Sequence, residues 1–147
     1  MTRFDFVRDR RGTFQELRLD NCSELQELHC CSHQLTSLDI SKCTALTTLF
    51  CYRNQLISLD VSKCIALLTL VCFSNRLTSL DVSRCTALTT LLCSSNQLSA
   101  SALNALFNSL PTRNPDENAI IIYHDNPGYK ACNETIAIKK GWTAVVY

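Results

Sequence analysis

The chain has 147 residues, the length of about one domain, with 14 basic and 13 acidic residues for a formal charge of +1. This near-neutral charge argues against nucleic acid or an anionic membrane as the main partner. Hydrophobic residues make up 46% of the chain, enough for a core. No apolar run approaches the ~20 residues of a membrane span.

The first 13 residues carry charges where a signal peptide has its apolar stretch, so we expect no export signal. They also lie outside the repeat pattern described next. We therefore expect residues 1–13 to form an N-terminal segment ahead of the repeats.

Eight of the ten cysteines form two rows with a spacing of 21 residues, unlike the pattern of a disulfide-rich scaffold. Only Cys31 and Cys132 lie outside the rows. Such a period is typical of a solenoid, in which each repeat forms one coil that buries its apolar side against its neighbours. The rows are Cys22, Cys43, Cys64 and Cys85, and Cys30, Cys51, Cys72 and Cys93.

Leucine, asparagine and aspartate recur at the same period. The pattern predicts four coils between Leu25 and Leu98 and a half coil at 14–21 before them, so that the repeats occupy residues 14–98. One unit reads Leu46-x-x-Leu49-x-Cys51-x-x-Asn54-x-Leu56-x-x-Leu59-Asp60-Val61-Ser62-x-Cys64-x-Ala66.

A short strand in each coil, near residues 46–52 of the unit above, is predicted to stack on its copies about 4.8 Å apart in a parallel sheet. Alternate leucines point inward, where the narrow interior favours small apolar thiols. An asparagine ends each strand, and its amide is expected to bond backbone groups of the bend and of the next coil. The asparagines at this position are Asn54, Asn75 and Asn96. The first coil has His33 instead, so its turn is expected to differ.

The segment Leu49-x-Cys51-x-x-Asn54-x-Leu56 resembles the leucine-rich repeat family, whose signature is L-x-x-L-x-L-x-x-N/C-x-L. The segment at 59–62 resembles the short 21-residue class of bacterial repeats, and the tail is similar to the C-terminal cap of bacterial cell-surface members. The resemblance implies an α/β solenoid with a right-handed coil, a parallel sheet on its concave face and a βα cap. It also implies a non-catalytic module that binds a protein, a peptide or a glycan at the cell surface or in secreted form. The missing leader would instead favour the cytoplasm.

After Leu98 the period stops, and residues 99–147 are predicted to cap the open end of the core within the same domain. Ser99 or Ser101 would begin a helix that ends at Pro111 and buries one apolar face. The face comprises Leu103, Leu106, Phe107 and Leu110. There follow a loop at 112–118, a strand at 119–123, a turn at 125–128, a helix at 131–140 ended by Gly141, and a strand at 142–147.

Strand residues between the inward leucines are predicted to face the concave surface, where they form an apolar and aromatic patch within a polar rim. Protein-recognition surfaces have this composition. Two alternatives stay open: β-strand propensity alone favours such residues, and a self-assembling module would use the same patch as an oligomer interface. The predicted ligand-binding residues are His29, Phe50, Tyr52, Arg53, Val71, Phe73 and Leu92.

The sequence predicts no catalytic residue, no metal site and no cofactor. Cys30, Cys31 and His33 lie close together, but the repeat places Cys30 inside the coil, and the CxxC spacing of zinc sites does not occur. Cys132 and His124 lack a group to orient the base.

Disulfides between stacked coils fit poorly because the Cβ vectors run parallel, so free buried thiols are expected. The aspartate row is interpreted as a solvated charge ladder offset by nearby cations. It comprises Asp39, Asp60 and Asp81, with Lys42, Lys63 and Arg84 three residues further on.

Overall fold

Each coil contributes one short strand to a parallel sheet in the computed structural model, which describes residues 3–5 and 16–145. Two strands, β2 (Glu16–Arg18) and β4 (Ser37–Asp39), form a small separate parallel sheet. The main sheet has, in spatial order within the described residues, β1 (Arg3–Asp5), β3 (Glu27–His29), β5 (Thr48–Phe50), β6 (Thr69–Val71), β7 (Thr90–Leu92), β8 (Ile120–Ile122) and β9 (Thr143–Val145).

The strands stack in the register that the 21-residue period predicts. Leu28 pairs with Leu49, and Leu49 with Leu70, and each of these side chains is fully buried. The residues on either side, such as Thr48 and Phe50, are partly exposed. Alternation along the strand therefore separates a core side from a solvent side, as predicted.

The sheet begins earlier than the boundary at residue 14 expected from the sequence. Strand β1, at Arg3–Asp5, pairs in parallel with β3 and so lies within the segment that was placed ahead of the repeats. The repeat pattern missed it because Phe4 replaces leucine at the position that pairs with Leu28, and because the two residues are 24 and not 21 positions apart. Residues 6–15, which include the start of the predicted half coil, lie outside the described residues.

The asparagine row forms a ladder of buried hydrogen bonds. The Asn75 Oδ1 atom accepts from the Leu56 amide at 3.0 Å, and its Nδ2 atom donates to the carbonyls of Cys51 and Cys72, each at 3.0 Å. Asn54 and Asn96 repeat this pattern. The amide thus bonds its own bend, as predicted, but the coil it joins is the preceding one, not the next.

The residue before each asparagine adopts a left-handed backbone conformation, with φ of 55° at Arg53, 54° at Ser74 and 53° at Ser95. This conformation turns the chain so that the asparagine side chain folds back beneath the bend. In the first coil, where His33 replaces asparagine, both Ser32 and Gln34 have positive φ. The predicted difference in the His33 turn is therefore present.

The segment predicted to form the cap, for which the name cap is kept below, begins with helix α1 (Ala100–Ser109). The N-cap of this helix is Ser99, whose Oγ atom accepts from the Ala102 amide at 3.2 Å. A 3-10 turn (Pro115–Glu117) follows. Helix α2 (Thr135–Lys139) is shorter than the predicted 131–140, and Gly141 follows it with φ of 82°. Residues 146 and 147, at the end of the last predicted strand, lie outside the described residues.

The cap is joined to the last coil by hydrogen bonds and by the sheet itself. The Arg113 side chain donates from Nε to the Leu88 carbonyl at 2.9 Å and also reaches the Thr86 carbonyl. Strand β8 pairs with β7, and β9 pairs with β8. This C-terminal segment therefore extends the main sheet by two strands. No helix in the described part of the chain is long and apolar enough to span a membrane.

Candidate binding face

The solvent side of the main sheet, called the concave face below, carries a row of mostly apolar side chains in register. Phe50 pairs with His29 on one side and with Val71 on the other. The sheet register places four residues of the predicted patch side by side. The row continues into the cap: His29, Phe50, Val71, Leu92, Ile122 and Val145.

Two aromatic pairs join neighbouring coils on this face. The Tyr52 and Phe73 rings are stacked, with centroids 4.6 Å apart and planes 8° from parallel. The His29 and Phe50 rings are also 4.6 Å apart, but tilted by 39°. All four side chains are partly exposed. Because such pairs contribute beyond their buried area, they hold a rigid aromatic surface at the solvent side of the sheet.

The prediction that Val71 is available to a ligand is wrong. Val71 is only 8% exposed, because it lies in register between the larger Phe50 and Leu92 side chains. A smaller side chain between two larger ones in a row spaced by about 4.8 Å is covered by its neighbours. Val71 therefore supports the surface and presents little of it.

Two residues that the repeat pattern did not predict at this face, Ile122 and Val145, also belong to it. Both are partly exposed and lie in the row of Leu92 through strands β8 and β9. A signal was present: Ile121-x-Tyr123-x-x-Asn126 follows the spacing of Leu91-x-Cys93-x-x-Asn96. The Asn126 amide indeed bonds the Cys93 and Tyr123 carbonyls, at 3.1 and 2.8 Å, as a further member of the asparagine ladder.

The thiol of Cys31 is a polar group that borders the stacked rings. The Cys31 thiol donates to the Phe50 carbonyl at 3.2 Å, and burial raises its pKa. The neighbouring Cys31 raises the pKa of Tyr52 in turn, first through its charge and then through a hydrogen bond. Both groups are therefore neutral near pH 7. Arg53, next along the chain, is exposed.

The buried thiols of the two cysteine rows pack in the core. All ten cysteines are free, and the seven buried ones lie in the rows. Burial raises the pKa of Cys30 and Cys72 to about 12, so these thiols stay protonated at neutral pH. A raised pKa is the opposite of what activates a thiol nucleophile. In the described residues, no group of three side chains is placed to hold a metal ion.

The aspartate row shapes the turns behind the sheet. The Asp60 Oδ1 atom accepts from the Ser62 amide at 2.9 Å, and the hydrogen bonds from Ser62 lower the pKa of the Asp60 carboxyl. Asp81 and Ser83 repeat this arrangement. The carboxylates thus have a local structural role, in addition to being exposed as predicted.

These features define a solenoid of the leucine-rich-repeat type, with a parallel sheet and few helices. Among solved structures, the chain is similar to InlJ from Listeria monocytogenes, described as a functional domain that includes a cysteine ladder. The identity is 29% and the TM-score 0.67; the match covers 92% of this chain but only 28% of that one. Neither a protein-family model nor a curated protein sequence matches this chain.

Proposed function

We propose that the chain is a non-catalytic binding module that recognises a protein or peptide on its concave face. The observation that carries this proposal is the pair of aromatic contacts, His29 with Phe50 and Tyr52 with Phe73, on the solvent side of a rigid sheet. Partly exposed aromatic side chains within a polar rim are typical of recognition surfaces.

The repeat itself gives no reason for these aromatic residues. The core is formed by other side chains, chiefly the inward leucines and cysteines, and at the position of Tyr52 and Phe73 the last coil has Ser94. The proposed contact residues are His29, Phe50, Tyr52, Arg53, Phe73 and Leu92, with Val71 beneath them.

The similarity to the InlJ domain supports the leucine-rich-repeat type of fold on which this proposal rests. Because the chain matches only 28% of that protein, its whole activity is not transferred. We also propose that residues 14–98 form repeats of the short bacterial class and that residues 99–147 form their C-terminal cap.

The test compares proteins captured from an extract of the native host by wild type and by two double variants. Phe50→Ser with Phe73→Ser removes one ring of each pair. Ile57→Thr with Ile65→Thr is the matched control, because both isoleucines are well exposed, at 64% and 56%, away from the concave face. The adjacent coils have threonine at the positions that correspond to Ile57 and Ile65, so the repeat accepts both substitutions.

We expect one or more proteins to be retained by wild type and by the isoleucine variant, and lost by the aromatic variant. Equal capture by all three proteins would overturn the proposal. Light scattering after size exclusion checks the alternative: a wild-type dimer that the aromatic variant dissociates would identify the face as an oligomer interface.

A further inference from the structure

Two arginines lie in the bends of adjacent coils, at the edge of the sheet where the strands end. The Arg53 amide donates to the Phe73 carbonyl at 3.0 Å, which places Arg53 next to the stack of Tyr52 and Phe73. The Arg76 amide donates to the Leu56 carbonyl at 2.9 Å in the same bend region of the adjacent coil. Both side chains are exposed.

The fold does not require arginine at either position. Arg53 has φ of 55°, a left-handed conformation that a long side chain adopts at some cost. At the same place the other coils have serine: Ser32, Ser74 and Ser95. At the place of Arg76 they have glutamine: Gln34, Gln55 and Gln97.

The positive charge of these arginines is not balanced locally. Among the described residues, no carboxylate lies within ion-pair distance of Arg53 or Arg76. The bends of the repeat coils carry serine, asparagine, glutamine and His33 besides the two arginines. The acid at this edge, Asp125, lies in the cap and is 3.6 Å from His124.

On the basis of the proposed function, we propose that the segment bound at this face is an acidic peptide. One apolar or aromatic side chain of the peptide packs on the Tyr52–Phe73 stack, and adjacent carboxylates pair with Arg53 and Arg76. Arginine suits this role because its planar guanidinium binds a carboxylate with two hydrogen bonds. Because the net charge of the chain is close to zero, the electrostatic attraction for an acidic peptide comes from these two arginines and not from the molecule as a whole.

The test selects a phage-displayed library of random 12-residue peptides on immobilised wild-type protein and on the double variant Arg53→Ser, Arg76→Gln. Both substitutions install the residue found in the other coils, so we expect the fold to be retained, and circular dichroism of the variant checks this. We expect selection on wild type to enrich Asp and Glu next to an apolar or aromatic residue, and selection on the variant to lose the acidic preference.

The strongest enriched peptide is then synthesised, and its affinity is measured by fluorescence anisotropy. Each single substitution should weaken binding about five-fold, and raising NaCl from 0.05 to 0.5 M should weaken wild-type binding more than that of the double variant. Enrichment of basic or neutral peptides, or an affinity that Arg53→Ser and Arg76→Gln leave unchanged, would overturn the inference. If the affinity for such peptides still depends on Phe50 and Phe73, the proposed function stands although the inference of an acidic ligand fails. No enrichment at all would also overturn the inference, while the capture experiment judges the proposed function separately.

Discussion

The asparagine ladder allows a sharp test of what holds the coils together. Asn75 is 6% exposed and makes three hydrogen bonds, one from the Leu56 amide and two to the carbonyls of Cys51 and Cys72. Asn75→Ala removes all three and leaves the buried Leu56 N–H without its acceptor. At about 1 kcal/mol net for each of the three bonds, plus about 1–3 kcal/mol for the orphaned donor, the free energy of unfolding should fall by about 4–6 kcal/mol.

Urea denaturation followed by circular dichroism measures this loss, with the slope m checked for constancy. Arg76→Gln is the control: it lies next to Asn75, is exposed, and should change the free energy of unfolding by less than about 0.5 kcal/mol. A loss below about 1 kcal/mol for Asn75→Ala would refute the idea that the ladder is a main link between coils.

The isosteric Asn75→Asp variant separates hydrogen bonding from volume. Its carboxylate keeps an acceptor for Leu56, but its second oxygen faces two carbonyls. The folded-state pKa of this carboxyl should therefore rise above its unfolded value of about 4. The destabilisation should be largest at pH 7 and should shrink as pH falls through the raised pKa, because the neutral acid can again donate one hydrogen bond. A deficit relative to wild type that is the same at pH 5 and pH 7 would contradict this assignment.

Three further predictions concern the thiols, the strand phase and the cap. At pH 8 a thiol reagent should label only Cys22, Cys31 and Cys132 until denaturant is added, because the seven other thiols are buried and their pKa values are raised. Labelling of more than three cysteines in the native protein would contradict this. In urea denaturation, Leu70→Ala at a fully buried site should cost about 2–5 kcal/mol and Phe50→Ser only about 1 kcal/mol, and equal costs would mean the strand phase is inverted. Removal of residues 99–147 should give insoluble protein because it uncovers the end of the core, whereas a soluble 1–98 fragment that melts cooperatively would show the cap to be a separate domain.

The repeat core could be predicted from the sequence because its positions are over-determined. Leu49 is fixed by the 21-residue period, by strand alternation and by the stacking of identical neighbours, and all three lead to the same burial. The start of helix α1 at Ser99 or Ser101 and the position of Gly141 just after helix α2 could also be predicted, because each follows a local rule. The structure selects Ser99 as the N-cap.

Other features could not be read from single residues, because they depend on the sizes of neighbours. Burial of Val71 results from the bulk of Phe50 and Leu92 in adjacent coils, which a strand pattern does not include. Asn126 looked like part of an ordinary turn because helix α1 and a loop separate it from the regular spacing. Ligand chemistry is least predictable, since only the departures of Arg53 and Arg76 from the repeat indicate it.

For the proposed peptide ligand, the strands of the cap would lengthen the surface available for contact. From β1 to β9 the described sheet crosses six spacings of about 4.8 Å, a width of about 29 Å. An extended chain advances about 3.3 Å per residue, so about nine residues laid across the strands reach from one edge to the other. Such a segment would lie over repeat coils and cap alike, and the cap strands that contain Ile122 and Val145 would contact its final third.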